Sequence, residues 1–344
     1  MIFVGDIALP KREIVENSNF PEYFKNKKWF GNLEGALIND DNYNLKVVYN
    51  DINSVKALVK KFQFKGFALA NNHIFDVGTI EDTKLCLQKL NIPFCGIGNN
   101  INEANQEIVI EEANQKIVII NFGWEVIQCE VTNGNSKGVN PLRKEHVIKT
   151  VKDLIKKYPT SKIIPFMHWS YELEAEPQPF ERELAKNLID LGVSAIIGCH
   201  PHRIGGIEIY KNKPIVYSLG NWMFQQNFFY GKTVKFPDFC SIQLAFEWDL
   251  EENTLRFHFF KFDREKNSVV FEKTEDINGE LVKSYTPFEN LNNQEYITWY
   301  KTHRFHRKKG LPIYYWNDST VKILVKNNVN KLRDFLIRFL VKLK

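Results

Sequence analysis

Short apolar runs alternate with amphipathic segments along the first two hundred residues of the chain. Four runs have the length and composition of buried strands: Ile2–Val4, Gly66–Ala70, Lys162–Met167 and Val193–Ile197. Between them, apolar residues at helical spacing predict helices over Ile52–Phe62, Thr79–Leu90, Arg143–Tyr158 and Pro179–Leu191. This alternation of strands and helices predicts an α/β sheet.

The middle of the chain predicts antiparallel hairpins in addition. Paired β-rich runs occur at Glu107–Ile110 with Lys116–Phe122, Gly206–Tyr210 with Pro214–Leu219, and Ser241–Trp248 with Leu255–Phe262. The last pair alternates apolar and polar residues, as expected of strands that face a core on one side only.

The pattern changes beyond residue 285. The segment Asn290–Lys309 is aromatic and then strongly basic, and a helix is predicted from Thr320 onward. The apolar side of this helix comprises Val325, Val329, Leu332, Leu336, Phe339 and Leu343. We therefore predict one domain over residues 1–285 and an aromatic and basic extension over residues 286–344 that ends in an amphipathic helix.

Composition narrows the class of protein. A chain of 344 residues with 44% hydrophobic residues can form a substantial core, and a net charge of +5 gives no argument for a nucleic-acid partner. The five cysteines lack the paired spacing of a disulfide framework or a zinc knuckle. No signal-peptide pattern and no apolar run of about 18–20 residues is present, so the expected location is cytoplasmic.

Residue types that can bind metals follow each of the four buried runs and also the aromatic pair Trp29-Phe30. They are Asp6; Asn32 and Glu34; Asn72 and His73; His168; and His200 with His202. Parallel strands place their carboxyl ends along one edge of a sheet, so these side chains are expected to converge. Carboxylate, amide and imidazole ligands suit Mn, Fe or Zn, and two such ions would polarise a phosphoryl group and activate water.

The alternative is a set of polar turns with solvated side chains. We favour a metal site, because a structural role does not need so many ligand-type residues at separate strand ends. Asp76 lies three residues after His73 and is expected to orient its imidazole. Cys199 is expected to be a buried filler between ligand-bearing turns, and His146, His258, His303 and His306 are expected to be solvated.

Six motifs in this order resemble those of the CapA family, which is named for poly-gamma-glutamate capsule biosynthesis. They are Gly5-Asp6, Asn32-Leu33-Glu34, Asn71–Gly78, His168–Glu172, Gly198–His202 and Ser218–Asn221. The family is similar to calcineurin-like metallophosphoesterases. The resemblance therefore implies a four-layer α/β/β/α sandwich and a metal-dependent, phosphoesterase-like hydrolase.

The resemblance also implies a role for each matched residue. Asp6, bridging Glu34 and His202 would hold a first metal, and Asn72, His168 and His200 a second. His73 would protonate the leaving group, with Asp76 as its orienting acid. The residues implied at the substrate are Asn32, Glu172 and Asn221.

One departure concerns the first metal. Metallophosphoesterases usually place a histidine two residues after the first aspartate, where this chain has Ala8. We therefore expect the first metal to be held weakly and the second tightly.

The implied function is hydrolysis of an anionic polymer or glycan precursor during synthesis of a capsule or another surface polymer. The alternative is a non-catalytic, metal-binding partner or scaffold of a polymer synthesis or export complex. For the basic C-terminal helix, packing on the core and peripheral contact with the inner face of a membrane are equally expected.

Overall fold

The structure is a computed structural model, which describes residues 1–10, 20–39, 47–225, 228–229, 232–233, 236–263 and 266–342. The predicted apolar position Leu343 lies outside these residues. The strands are β1 (Ile2–Ala8), β2 (Lys28–Leu33), β3 (Ala36–Ile38), β4 (Tyr49–Asp51), β5 (Gln63–Ala68), β6 (Phe94–Cys95), β7 (Ile97–Gly98), β8 (Ile108–Glu112), β9 (Gln115–Gly123), β10 (Gly138–Val139), β11 (Lys162–His168), β12 (Ile196–Cys199), β13 (Ile207–Tyr210), β14 (Lys213–Val216), β15 (Asn221–Phe224), β16 (Phe228–Phe229), β17 (Lys232–Thr233), β18 (Ile242–Asp249), β19 (Thr254–Asp263) and β20 (Ser268–Glu275). The α-helices are α1 (Ile52–Lys61), α2 (Ile80–Lys89), α3 (Ile101–Ala104), α4 (Lys144–Lys157), α5 (Pro179–Leu191), α6 (Glu280–Ser284), α7 (Asn293–His303) and α8 (Thr320–Lys342).

Two large sheets form the body of the protein. In the first, the strand order is β20-β19-β18-β1-β2-β5-β6, and β15 also pairs with β1. β1 runs parallel to β2 and β15 and antiparallel to β18. In the second sheet the order is β13-β14-β12-β11-β9-β8, with β9, β11, β12 and β14 parallel to one another.

The two sheets pack face to face. Neighbouring residues of a strand point to opposite sides of its sheet, so every second residue faces the other sheet. Phe3 and Phe30 of the first sheet share one apolar cluster with Ile119 and Phe166 of the second. The residues between them along the strands belong to another cluster, which also contains side chains of α1, α2, α4 and α5. This arrangement confirms the predicted four-layer α/β/β/α sandwich.

Most predicted elements are present, and the misses have local causes. The helix predicted over Pro179–Leu191 has these bounds, and Gly192 ends it in the left-handed conformation. Strand β20 was not predicted, because it lies at the edge of its sheet and its outer residues are polar and exposed. Asn221 and Trp222, which follow the predicted strand Pro214–Leu219, begin a further strand, β15.

The prediction that His258 is solvated was wrong. His258 is 2% exposed and its Nε2 lies 2.9 Å from Glu247 Oε2. The short 3₁₀ helix Glu22–Asn26 covers this part of β19, with the ring of Phe24 4.8 Å from the imidazole. The covering segment is distant in sequence, so the strand pattern alone did not reveal it.

The residues after position 285 contact the sandwich closely. Tyr296 and Tyr300 of α7 are buried, and the hydroxyl of Tyr296 donates to the carbonyl of Pro177 at 2.5 Å. Gln178 Nε2 donates to the Tyr300 hydroxyl at 2.7 Å. The domain boundary at residue 285 stays a prediction. Within the described ranges, no helix combines the length and the apolar character that crossing a membrane requires.

A buried ion pair ties this later segment to the body. Arg182 and Glu208 are 1% and 2% exposed, with Arg182 Nη2 2.7 Å from Glu208 Oε1. Arg182 Nη1 also donates to the carbonyl of Leu291 at 2.9 Å. Removing one partner of a buried pair leaves an uncompensated charge, so Arg182→Ala is expected to lower the free energy of unfolding by about 3–5 kcal/mol. Urea denaturation at pH 7 measures this change.

The matched control is Lys211→Ala, which removes an exposed pair with Asp190. Such surface pairs contribute little to stability, because water screens the two charges. A loss below about 1 kcal/mol in Arg182→Ala would contradict the structural role of the buried pair.

Candidate metal centre

The predicted site residues gather where strands of both sheets end. Asp6 lies in β1 opposite Asn32 of β2. His168 ends β11 and lies opposite Cys199, the last residue of β12. The two sheets meet at this point, because the backbone N–H of His200 donates to Asp6 Oδ2 at 3.0 Å.

Close backbone packing fixes this meeting point. A Cβ atom at Gly5 would lie 1.8 Å from the carbonyl oxygen of Gly220, so no larger residue fits there without a backbone shift. His200 and His202 both have left-handed backbone conformations, with φ of 99° and 58°. Such conformations cost about 1–3 kcal/mol for residues other than glycine and occur preferentially at functional sites.

Asp6 is held in one orientation. Its Oδ1 accepts a hydrogen bond from Asn32 Nδ2 at 2.8 Å, and its Oδ2 accepts the N–H of His200. His202 Nδ1 lies 3.6 Å from Oδ2. Burial raises the pKa of Asp6, whereas the charge of His202 and the two hydrogen bonds oppose the rise.

Glu34 is the most unusual residue of the site. The side chain is fully buried, and neither carboxylate oxygen has a hydrogen-bond partner among the residues that the structure describes. Its Oε1 lies 3.7 Å from both His73 Nε2 and His202 Nε2. Burial, and then the charge of Asp6 and other nearby carboxylates, raises the pKa of Glu34 well above its usual value. A buried carboxylate without partners is costly and calls for a cation.

Two groups of ligand atoms share Glu34. Within each group the atoms lie within 4.8 Å of one another: Asp6, Glu34 and His202 in one, and Glu34, His168 and His200 in the other. These groups match the ligand sets predicted for the first and second metal, apart from Asn72. Asp6, His168 and Cys199 form a third group, so Cys199 lies against the site.

The amide side chain of Asn72 lies beside the second group of ligand atoms. Asn72 Oδ1 lies 2.8 Å from His168 Nε2, and Cys199 Sγ lies 3.1 Å from His168 Nδ1. His200 Nδ1 is buried and has no hydrogen-bond partner among the described residues. Burial, reinforced by neighbouring imidazoles, lowers the pKa of His168 and His200 well below the usual value. Both are therefore neutral, which is the form that binds metal.

These donors fit a divalent cation. The orphaned atoms of Glu34 and His200 lie in adjoining positions, and the carboxylate, amide and imidazole donors are the set that Mn, Fe and Zn accept. The structure thus brings all six predicted metal ligands together.

His73 and Asp76 lie beside Glu34. His73 Nδ1 is 2.7 Å from Asp76 Oδ2, so Asp76 accepts a hydrogen bond from this nitrogen. The other ring nitrogen faces Glu34. This contact orients the imidazole, whereas the catalytic roles of both residues stay predictions.

The three residues predicted to contact substrate differ in exposure. Asn32 is buried against Asp6, and Asn221 is buried with its Oδ1 2.9 Å from His202 Nδ1. These two amides therefore position ligand-type residues in the structure. Glu172 is exposed in the loop that follows β11. Their assignment to the substrate stays a prediction.

Apolar side chains surround Ala8, which stands where metallophosphoesterases usually have a metal-binding histidine. Ala8 is fully buried and packs with Val48 and Phe224. The ring of His202 lies 5.0 Å from that of Phe224 and 5.1 Å from that of Phe236. His202 is therefore held by aromatic packing on one side and Asn221 on another.

Asn71 is a positioning residue that the sequence analysis missed. Its Nδ2 donates to the carbonyl of Leu33 at 2.9 Å, and its Oδ1 accepts the N–H groups of Gly35 and His73. It thereby connects the loop of Glu34 to the loop of His73. The doublet Asn71-Asn72 was the available signal, but the sequence did not show that its two amides have separate tasks.

Lys308 is a second residue without a sequence signal, because it lies far from every motif. Its charge contributes to lowering the pKa of His200. Burial lowers the pKa of Lys308, and the charge of Glu172 opposes this shift. A cation from the later part of the chain thus acts electrostatically on the site.

The fold and the buried donors define a four-layer α/β/β/α protein with a candidate carboxylate–histidine metal centre. The chain belongs to the family described as bacterial capsule synthesis protein PGA_cap, whose sequence model matches residues 1–226. This confirms the resemblance identified from the six motifs.

Two relatives carry capsule-related names. The chain is 28% identical over 247 residues to the capsule biosynthesis protein CapA of Bacillus anthracis, covering 66% of this chain and 60% of that protein. It is 31% identical over 242 residues to the PGA biosynthesis protein CapA of Bacillus subtilis strain 168, covering 65% and 63%. The chain therefore spans somewhat less than two thirds of the length of these relatives.

Among solved structures, a putative 5'-nucleotidase from Staphylococcus aureus is similar with a TM-score of 0.42 and 13% identity. The match covers 87% of this chain and 58% of that one. Nothing about activity follows from a likeness at this level.

Glu181 provides a test of how the site is supported. Its carboxyl accepts the N–H groups of Ser170 and Gln178, both at 2.8 Å, and it also bonds the Ser170 hydroxyl two residues from His168. Burial raises the pKa of Glu181 from 4.5 to about 8. Between these values the folded state keeps a proton that the unfolded chain has lost. The free energy of unfolding is therefore expected to fall as pH rises through this window, by up to about 1.4 kcal/mol per pH unit.

Urea denaturation of Glu181→Gln between pH 5 and pH 8 measures this contribution. We expect a flatter pH dependence than in the wild type, and lower stability at pH 5, because the amide nitrogen cannot accept the Gln178 N–H. Glu145→Gln, at an exposed position of α4, is the control and should leave the slope unchanged. Equal slopes in Glu181→Gln and wild type would contradict the assignment.

Proposed function

We propose that this chain is a metal-dependent phosphoester hydrolase that acts in the synthesis of a capsule or a related surface polymer. The observation that carries the proposal is Glu34, whose buried oxygens lack hydrogen-bond partners among the described residues and belong to two ligand groups. The names of the two CapA relatives support the capsule context. Substrate, activity and partners of the whole protein are part of this proposal.

Two divalent ions would be held by the two groups, which share Glu34. Asp6 and His202 would complete one site, and Asn72, His168 and His200 the other. A cation bound there polarises a phosphoryl oxygen and makes water a better nucleophile at neutral pH.

His73 is the residue best placed to move a proton. Asp76 accepts the hydrogen bond from Nδ1, so Nε2 is the atom that can exchange a proton with a leaving oxygen. The hydrogen bond to Asp76 also fixes the imidazole ring, so Nε2 stays directed toward the site.

The substrate is proposed to be anionic. Lys308 supplies a positive charge that acts on His200, and the charge of Glu172 acts on Lys308. An anionic polymer or glycan precursor would be attracted to this cation and to the bound metals. The proposed location of the protein is the cytoplasm.

The second candidate is a non-catalytic, metal-binding scaffold of a polymer synthesis complex. The apolar surroundings of Ala8 favour it, because the first ligand group has no histidine at that position and would hold its ion less firmly. Metal binding without turnover would then be the function.

Metal content tests the ligand assignment. The wild type is expected to lose one ion to a chelator before the other, because the first group has fewer ligands. His202→Ala should weaken the easily lost ion, and His200→Ala the tightly held one, each by at least about tenfold. Chelator titration followed by elemental analysis measures both.

The control is His306→Ala, because His306 is an exposed histidine. Two ions of equal affinity in the wild type would contradict the asymmetry. Unchanged metal affinity in both site variants would contradict the ligand assignment.

Hydrolysis of an aryl phosphate by metal-loaded protein tests the catalytic role of His73. His73→Ala is expected to lower kcat by about 10²–10⁴-fold while metal content stays unchanged, because proton transfer contributes about this factor. His303→Ala, where the ring stacks on Trp299 at the surface, is the control. A metal-loaded wild type without activity, or with activity that His73→Ala retains, would favour the scaffold.

A further inference from the structure

Helix α8 packs on the body of the protein through its polar side. Asn330 is 4% exposed, and its Nδ2 donates to the hydroxyls of Tyr171 and Tyr314, each at 3.0 Å. One turn before it, Asn327 Oδ1 accepts from the Tyr314 hydroxyl at 2.8 Å. One turn after it, Asp334 Oδ2 accepts from a glutamine side chain at 3.1 Å. Residues at this spacing share one helix face.

Most apolar residues of α8 lie on the opposite, outer side, whereas Ile323 and Ile337 lie on the same face as Asn330. Six of the outer residues have exposed fractions between 49% and 71%: Val321 71%, Leu324 60%, Val325 57%, Val329 49%, Leu332 61% and Leu336 49%. We call these six residues the outer stripe; Asn328 is the polar residue that lies among them. A surface helix of a soluble protein normally has the opposite arrangement, so the outer stripe marks an interaction surface.

Basic residues border the outer stripe. Lys322 and Arg333 lie along one border and Lys331 along the other, and all three are exposed. Asp334 is the one acidic residue in the sequence from 320 to 344, and it lies on the side facing the protein, 3.1 Å from Arg333. Long basic side chains at such borders reach lipid headgroups while their stems cover apolar surface.

The basic surface continues beyond the helix. Arg307 and Lys309 are exposed in the turn around the 3₁₀ helix His306–Lys308. Arg333 lies close enough to Lys308 for its charge to lower the pKa of that amine. The turn and the helix thus present positive charge on neighbouring parts of the surface.

We propose that α8 docks on an anionic lipid surface, with its axis in the plane of the membrane and the outer stripe buried among the lipids. The charges favour this occupant over a second copy of the chain, because pairing two outer stripes would bring like charges together. Basic residues near an anionic surface and apolar side chains buried among lipids both contribute favourably to such binding. This docking is independent of metal binding and turnover.

Vesicle co-sedimentation of the full chain tests the proposal. Wild type is expected to bind vesicles of phosphatidylglycerol and phosphatidylcholine at least tenfold more strongly than vesicles of phosphatidylcholine alone. The double variant Leu324→Asp/Leu332→Asp should lose this binding, because it places two charges in the outer stripe. Leu85→Asp, at an exposed leucine of α2, should retain it.

A second pair of variants tests the charges. Lys322→Glu/Lys331→Glu should weaken binding at least tenfold, whereas Lys152→Glu/Lys156→Glu on α4 changes the net charge equally and should have little effect. Weak wild-type binding, equal binding to neutral vesicles, or retention by Leu324→Asp/Leu332→Asp would overturn the proposal. Light scattering that shows a wild-type dimer which this double variant dissociates, without vesicle binding, would identify a second copy as the occupant.

Discussion

The burial of the Glu34 carboxylate is the constraint on which the site depends. Moving an ionised carboxylate out of water costs several kcal/mol unless hydrogen bonds or a cation compensate. Asp6, a few ångströms away, obtains hydrogen bonds from Asn32 and the N–H of His200. Glu34 obtains none from the described residues, and the negative charge of Asp6 increases the cost. The packing of the described residues does not compensate this buried charge. A bound cation would compensate it, and the neighbouring imidazoles are suitable ligands for such a cation.

The two-sheet architecture makes this concentration of ligands possible. Carboxylates come from the first sheet, and His168 and His200 come from the second. Because strands of both sheets end at the same edge, no single loop has to carry all the donors. The amide side chains then act between the ligands: Asn71 connects two loops, and Asn221 holds His202. The ligand geometry is therefore set by long-range packing.

The sequence was sufficient to predict which polar residues follow the strands and that these residues converge. Short buried strands are recognisable from their apolar runs, and parallel strands place their ends together. It could not assign tasks within the doublet Asn71-Asn72, since the difference depends on which amide faces the adjacent loop. It failed for His258, which a distant aromatic turn covers. It also gave no sign of Lys308, whose position depends on how the segment after residue 285 packs. In each case a contact between distant residues decided the outcome.

The orientation of helix α8 also depends on contacts between residues that are distant in sequence. Its spacing revealed one apolar side, but the side that faces the protein depends on Tyr171 and Tyr314, which offer hydroxyl groups to Asn330. A polar partner surface selects the polar side of the helix, so the apolar side turns outward. Tyr171 lies in the loop directly after His168, and therefore the same contact connects the helix to the metal centre. A lipid surface bound by the outer stripe would be held at a fixed distance from that candidate centre.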